Sequence, residues 1–299
     1  MRANYLIGLL LFFILTPLQA AEPLVDTDWL LTNLNNPKLV VLDLQPKTAY
    51  RRFHVPGAVN SNYADWRKPD SRKTPKMIPS VSTLERLIGG LGIDNETRVV
   101  LVVTGRSASE MASATRVYWT FKALGHDEIS ILDGGLVAYA ETRKNPLENK
   151  INTPSRKTFK ADPRPGYLVT ADQVRELLGN DVSLVDSRSG AEYMGLLSGG
   201  GKERPGTIPG SVNLPFDWLT VNGGARFQST DNLKRIYESV GVPLRGKQVS
   251  FCHTGHRTAL SWFVSHELLG NKKARLYDGS TAEWAVDPSL PMERKITLD

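Results

Sequence analysis

The sequence contains a single cysteine, Cys252. One thiol excludes an internal disulfide and any metal site built from several thiolates. Long Lys/Arg runs are also missing. A formal charge of +6 is spread over 299 residues, which argues against a nucleic-acid partner and suits clefts that prefer small anions. Beyond the N-terminus, no apolar stretch approaches the ~20 residues that span a bilayer. The N-terminus itself carries Arg2, an apolar run from Leu6 to Leu15, and Pro17-Leu18-Gln19-Ala20-Ala21. Residues 1–21 therefore read as a cleavable signal peptide, and the mature chain is expected in the periplasm of a bacterial cell. No cysteine follows the run, so a lipid anchor is not expected. In an oxidising compartment cysteines usually pair; a lone one is expected to be buried or used.

What is present is a globular composition, 40% apolar and 23% charged, long enough for two domains. Leu39–Asp43 and Arg98–Val103 are apolar runs of the length of buried strands, and Ile129–Gly135 reads as a strand ending in a turn. Helices are predicted over Val25–Leu34, over Ser82–Ile88 with Gly89-Gly90 as the stop, and over Ala108–Leu124. Asp65–Pro79 is polar, punctuated by proline, and reads as a loop.

The same order then recurs. Val182–Asp186 matches the strand ending at Asp43. Ile208-Pro209-Gly210-Ser211-Val212-Asn213 matches Val55-Pro56-Gly57-Ala58-Val59-Asn60. Lys247–Phe251 matches Arg98–Val103, and Ala274–Gly279 matches Ile129–Gly134. The chain is a tandem duplication. Alternating strands and helices in each copy predict an α/β fold: two parallel, doubly wound sheets flanked by helices. The expected boundaries are 22–145 for the first domain, 146–166 for a proline-rich linker, and 167–299 for the second.

Cys252 closes the apolar strand Val249-Ser250-Phe251 and opens the polar loop His253-Thr254-Gly255-His256-Arg257, which feeds a helical pattern (Leu260, Trp262, Phe263, Val264, Leu268, Leu269). Strand, tight loop and helix aim several backbone N–H groups and the positive helix end at one spot. A thiol there is biased towards thiolate, and the loop's two histidines and arginine push the same way. Gly255 is expected to take a positive φ so that the amides converge. His253 and His256 are expected to be neutral wall or donor residues, and Arg257 either braces the loop or faces the substrate. The first repeat has Val103-Thr104-Gly105-Arg106 at the equivalent place and no cysteine.

In its ordered motifs the chain resembles the tandem-domain rhodaneses, the thiosulfate and 3-mercaptopyruvate sulfurtransferases. The first repeat contributes His54-Val55-Pro56-Gly57-Ala58, Arg116-Val117-Tyr118-Trp119 and Leu132-Asp133-Gly134-Gly135. The second contributes Asp186-Ser187-Arg188, Ile208–Pro215, the Cys252 loop, and Tyr277-Asp278-Gly279-Ser280 with Glu283-Trp284. The resemblance implies a cofactor-free ping-pong reaction. Cys252 takes the outer sulfur of a small anionic donor as a persulfide and passes it to cyanide, to a thiol, or to a thiol partner protein. It implies that Arg188 meets the donor's anionic end and that Arg204 is a second such arginine in mercaptopyruvate enzymes. Thr207 stands where those enzymes usually carry histidine. The polar loop favours thiosulfate over mercaptopyruvate. His54 is expected to stabilise its turn, with a reach into the cleft as the alternative, and Asp186, Asp278 and Glu283 are expected to be structural. Two rivals are a Cys-x5-Arg phosphatase of related fold, against which the Cys-x4-Arg spacing here counts, and a non-catalytic persulfide carrier.

Overall fold

The computed structural model describes residues 21–298, so the signal-peptide reading falls, but for Ala21, outside the described residues. Each half builds one five-stranded sheet whose strands all pair in parallel. The first half holds β1 (Leu24–Val25), β2 (Leu39–Asp43), β3 (Val59–Asn60), β4 (Arg98–Val102) and β5 (Ile129–Leu132), in the order β1-β5-β4-β2-β3. The second holds β6 (Leu168–Val169), β7 (Ser183–Asp186), β8 (Val212–Asn213), β9 (Gln248–Phe251) and β10 (Ala274–Tyr277), in the order β6-β10-β9-β7-β8. The two orders are one permutation, as a duplication requires.

Helices α1 (Thr27–Asn33), α2 (Lys47–Tyr50), α3 (Val81–Gly90), α4 (Ala108–Ala123) and α5 (Gly135–Glu141) flank the first sheet. Helices α6 (Ala171–Leu177), α7 (Gly190–Met194), α8 (Thr230–Ser239), α9 (Arg257–Phe263) and α10 (Ser280–Trp284) flank the second. Gly89 and Gly90 do not stop α3, as the sequence suggested. They lie inside it, and the chain turns at Gly92 (φ +76°). Gly89 is needed there because the Lys157 carbonyl occupies the place of a Cβ. That carbonyl belongs to the linker, which is laid along the first domain as a strap. Lys157 N–H donates to Gly89 O (2.9 Å), Asp162 N–H to Leu124 O (2.9 Å) and Arg164 N–H to Ala123 O (2.8 Å).

Helix α4 is buried almost all round, as a helix enclosed by protein should be. Its partner across the domain boundary is α9. Tyr118 of α4 meets Phe263 of α9 edge-on at 4.9 Å, and one apolar core runs from Val99 and Leu101 of β4 through both helices to Leu276 of β10. These two helices follow equivalent strands in their repeats. Packing them together brings the loop before α9, at the carboxyl end of β9, against the first domain.

Candidate active site

Cys252 leaves β9 at its carboxyl end, where ligands of parallel sheets sit, and is 1% exposed. Its N–H donates to Ser280 Oγ (3.0 Å). Its carbonyl accepts Thr281 N–H and Thr281 Oγ1, both at 3.1 Å. Ser280 holds a left-handed backbone (φ +49°), a conformation that costs a non-glycine residue ~1–3 kcal/mol unless its surroundings fix it. The hydroxyl does so, donating to Tyr277 O at 2.8 Å while it accepts from Cys252. Gly255 takes the expected positive φ, +68°. A Cβ there would meet Arg116 Nη1 and Asp278 Oδ1. Among the described residues, no acceptor takes the backbone N–H groups from His253 to Thr258. The buried hydroxyl of Thr258 is also without a partner. The loop that starts at the thiol is therefore lined with unused donors, an arrangement suited to an anion.

The first repeat makes the opposite choice. Its equivalent loop offers Gly105 and Arg106 N–H groups to Glu110 Oε2, at 2.9 and 2.8 Å. That carboxylate fills the place an anionic ligand would take.

The Cys252 loop is held from outside its own domain. Arg67 Nη2 donates to Thr254 O (2.8 Å) and Oγ1 (3.0 Å), and its Nη1 to Tyr63 Oη (3.2 Å). Arg116, wholly buried in α4, donates from Nη1 to Gly255 O (2.9 Å). Its Nη2 lies 2.6 Å from Asp278 Oδ1, at an angle outside hydrogen-bond geometry. Ile78 N–H donates to Asp278 Oδ2 (2.7 Å), and Arg72 pairs with Glu283. Tyr63 Oη reaches His256 Nδ1 at 2.7 Å, and Ser109 Oγ lies 3.2 Å from Nε2. Burial first, then the charges of Arg67, Arg116, Arg257 and Lys76, push His256 down to about 3. The ring is neutral at pH 7 and shares hydrogen bonds with Tyr63 at Nδ1 and Ser109 at Nε2. It is a bridge between domains, not a fixed charge.

Arg257 braces the loop. It grips Glu192 of α7 bidentately at 2.6 and 2.7 Å. Burial raises the Glu192 carboxyl, and the Arg257 hydrogen bonds and charge outweigh it, leaving it at about 2. His253 Nε2 pairs with Glu203 Oε1 at 2.8 Å.

The two candidate donor-binding arginines have protein partners of their own. Arg188 is buried at 4% exposure and does not offer a free fork to a donor. Its Nε and Nη2 bind Asp186, and Nη2 also donates to Gly206 O (2.7 Å). Arg204 donates from Nε and Nη2 to the carbonyls of Ala285, Trp284, Asp287 and Leu290. Both side chains lie where backbone and carboxylate acceptors would otherwise be buried unpaired. Thr207, in the place of a histidine, donates to Asp186 Oδ2 at 2.8 Å and completes this structural knot. His54 lies in the first domain's interior, donating to Tyr50 O at 2.7 Å. Asp186 and Asp278 each accept a backbone amide and lie against an arginine, and Glu283 pairs with Arg72.

Comparison with known proteins agrees with this layout. A family model described as the rhodanese-like domain matches residues 26–142 and again 170–287. The chain belongs to the rhodanese family. A protein of Mycolicibacterium smegmatis named "Putative thiosulfate sulfurtransferase" is 30% identical over 281 residues, covering 91% of this chain and 98% of the relative. One of the same name from Haloferax volcanii is 30% identical over 287 residues, covering 92% and 97%. Among solved structures, SseA from Escherichia coli, presented with the 3-mercaptopyruvate sulfotransferases, superposes with a TM-score of 0.76 at 24% identity, over 87% of this chain and 99% of SseA. The anaerobic ergothioneine biosynthesis enzyme of Chlorobium limicola superposes at 0.78 with 21% identity, over 92% and 71%. At those identities the structures speak for the fold. This rhodanese thus has its two copies in tandem, and its relatives place it among the sulfurtransferases.

The residues that pin the loop, Arg67, Arg72, Arg116, Glu192 and Glu203, carried no assigned role in the sequence reading. Two signals were available. Arg116 is the one cation in the stretch Ala108–Phe121, and Ser189-x-x-Glu192 is a capping box, which the structure contains.

Proposed function

We propose that this rhodanese moves a sulfane sulfur from thiosulfate to cyanide or a thiol through a persulfide on Cys252. The Cys252 thiolate attacks the outer sulfur of thiosulfate. The sulfur–sulfur bond of the donor breaks, sulfite leaves with the bonding pair, and Cys252 carries a persulfide anion. An acceptor then attacks that outer sulfur, and the pair returns to Cys252 Sγ. The observation that carries this reading is the row of unpaired N–H groups from His253 to Thr258, in the loop opened by the sequence's lone thiol. Such donors hold an anionic sulfur with no metal, and the charges of Arg257, Arg67 and Arg116 act in the same direction.

Thiosulfate is favoured over 3-mercaptopyruvate because the two arginines expected to hold a carboxylate have their Nε and Nη2 donors engaged elsewhere. The second domain is the catalytic one, the first a scaffold. The chain is exported to the periplasm after loss of residues 1–21, which N-terminal sequencing of a periplasmic fraction checks. The functional test measures thiocyanate from thiosulfate and cyanide, beside 3-mercaptopyruvate and a phosphate monoester. Thiocyanate formation that Cys252→Ser abolishes is the expected result. Phosphate release without thiocyanate would replace the reading with the phosphatase one.

A further inference from the structure

A cavity of about 880 Å³ lies where the first domain, the linker and the second domain meet. It opens at the amino ends of β9 and β10. Cys252 follows the carboxyl end of β9, so the four residues of that strand set it ~13 Å from the thiol. Tyr167, Leu177, Val182 and Val249 give the cavity an apolar side. Four lysines and an arginine line it, against one carboxylate. That carboxylate, Asp127, is already held by Lys122 and, bidentately, by Arg164 at 2.6 and 2.8 Å. Lys272 Nζ pairs with Glu267 at 3.0 Å. Lys247, Lys273 and Arg275 are exposed, and no carboxylate pairs with any of them among the described residues.

The duplication shows the same place with its charges satisfied from within. Strand register aligns the two repeats. Val99 pairs with Ile129 as Gln248 pairs with Ala274, and Asp43 with Val102 as Asp186 with Phe251. Arg98, Glu128 and Ser130 therefore occupy the positions of Lys247, Lys273 and Arg275. In the first repeat Arg98 Nη2 donates to Ser130 Oγ (2.7 Å), its Nη1 lies 3.9 Å from Glu128, and Ser130 Oγ donates to the Glu22 carbonyl. Leu24 and Leu168 are equivalent edge residues, which puts Gly166 in the place of Glu22. The two acids of the first repeat, Glu22 and Glu128, are thus a glycine and a lysine in the second, and both replacements line the cavity. Neighbouring strands lie ~4.8 Å apart and alternate residues ~6.6 Å. The three cations are close enough to meet one anionic group, and they repel one another without it.

We infer that this cavity binds a small organic phosphate, with the phosphate on Lys247, Lys273 and Arg275 and a ring-sized apolar body against Tyr167, Leu177 and Val182. Ligand pockets of this volume combine an apolar lining with a few placed polar groups. The arginine fork pairs with two phosphate oxygens, and the lysines act as point charges. His266 also lines the cavity, from the π turn Val264–Leu268 that continues α9; such turns are frequent at functional sites. Because α9 begins at the Cys252 loop, the cavity and the thiol lie at the two ends of one helical element.

The test is a calorimetric titration of the full chain with 1-naphthyl phosphate at about pH 8, where the ester is a dianion. Inorganic phosphate and 1-naphthol are titrated beside it as its two halves. A Kd of about 0.5 mM is expected, the scale for a ligand of about 15 non-hydrogen atoms, with each half at least about tenfold weaker. Affinity should fall as salt rises from 20 to 500 mM, ~20 Å to ~4 Å in screening length. The double variant Lys273→Glu/Arg275→Ser installs the first repeat's residues at two exposed positions. It should weaken binding about tenfold, and Lys247→Gln alone about threefold, the scale of exposed ion pairs. Melting midpoints within ~2 °C of the unaltered protein check that the variants are folded. No saturation by about 10 mM, or inorganic phosphate binding as tightly as the ester, would overturn the inference. So would affinities within about 1.5-fold of the unaltered protein in both variants, since the ester would then sit elsewhere, for example on the Cys252 loop. Should the variants not fold, a salt-independent affinity in the unaltered protein overturns it alone. None of these readouts uses sulfur transfer, so the inference and the persulfide reading can fail separately.

Discussion

Arg116 is the residue on which the loop's placement depends most. It is wholly buried, 2.6 Å from Asp278 Oδ1, bonded to Gly255 O, and stacked 4.7 Å from the Trp119 ring centroid. Arg116→Met keeps a long, apolar stem and deletes the charge. Asp278 then keeps only the Ile78 amide as a hydrogen-bond donor to its carboxylate, and Gly255 O loses its donor. Breaking one side of a buried pair costs ~3–5 kcal/mol. At ~2 °C per kcal/mol for a chain of this size, the melting midpoint should fall by ~6–10 °C. The companion Arg116→Met/Asp278→Asn removes the orphaned charge, and an asparagine oxygen still accepts from Ile78. It should recover about half of the loss, because a buried pair replaced as a pair costs far less than one broken. Calorimetric melts of the protein, both singles and the double form a cycle that measures the coupling. A midpoint within ~2 °C of the unaltered protein for Arg116→Met, or strict additivity in the double, would refute the reasoning.

Three further outcomes follow from the same geometry. Gly255→Ala forces a left-handed alanine and a Cβ against Arg116 and Asp278, so thiosulfate turnover should drop on the order of 100-fold, as for a misplaced catalytic loop; turnover near the unaltered rate contradicts the placement of the loop. Arg188→Met strands the buried Asp186 and should cost ~3–5 kcal/mol in urea unfolding; unchanged stability with only weaker donor saturation would return Arg188 to the donor. Acid should weaken the fold in two stages. His256, at about 3 when folded against its ordinary 6.5, gives stability that is complete above 6.5 and lost as pH falls towards 3. Glu192, at about 2 against 4.5, gives stability complete above 4.5 and lost towards 2. The urea midpoint should start to fall below about pH 6.5 and steepen below 4.5; a flat profile from 7 to 4.5 contradicts the half-buried neutral histidine.

Strands and duplication were legible in the sequence because parallel strands covered on both faces are continuous apolar runs. Leu39–Asp43 emerges with the predicted ends, and the strand expected within Ile129–Gly135 occupies Ile129–Leu132. Cys252 and Gly255 were legible because a lone thiol in a polar loop and a glycine three residues on have few other uses. The loop's supports were not. Arg67 meets Thr254 across 187 residues and Arg116 meets Gly255 across 139. No periodicity connects residues that far apart, and Arg67, Arg72 and Lys76 all sit in a proline-punctuated segment without a repeat of its own. The protein partners of Arg188 and Arg204 were hidden for the converse reason. An arginine near a site in sequence looks like a ligand for anions, and only the packed structure shows the carbonyls and carboxylate that already hold it.

The most direct measurement is the intact mass of the protein after thiosulfate, followed by peptide mapping and then by cyanide. One sulfur atom gained on the peptide that contains Cys252, removed by cyanide as thiocyanate, is the predicted result. A protein that gains no sulfur from either thiosulfate or 3-mercaptopyruvate, or that gains it with Cys252→Ser in place, would contradict the account.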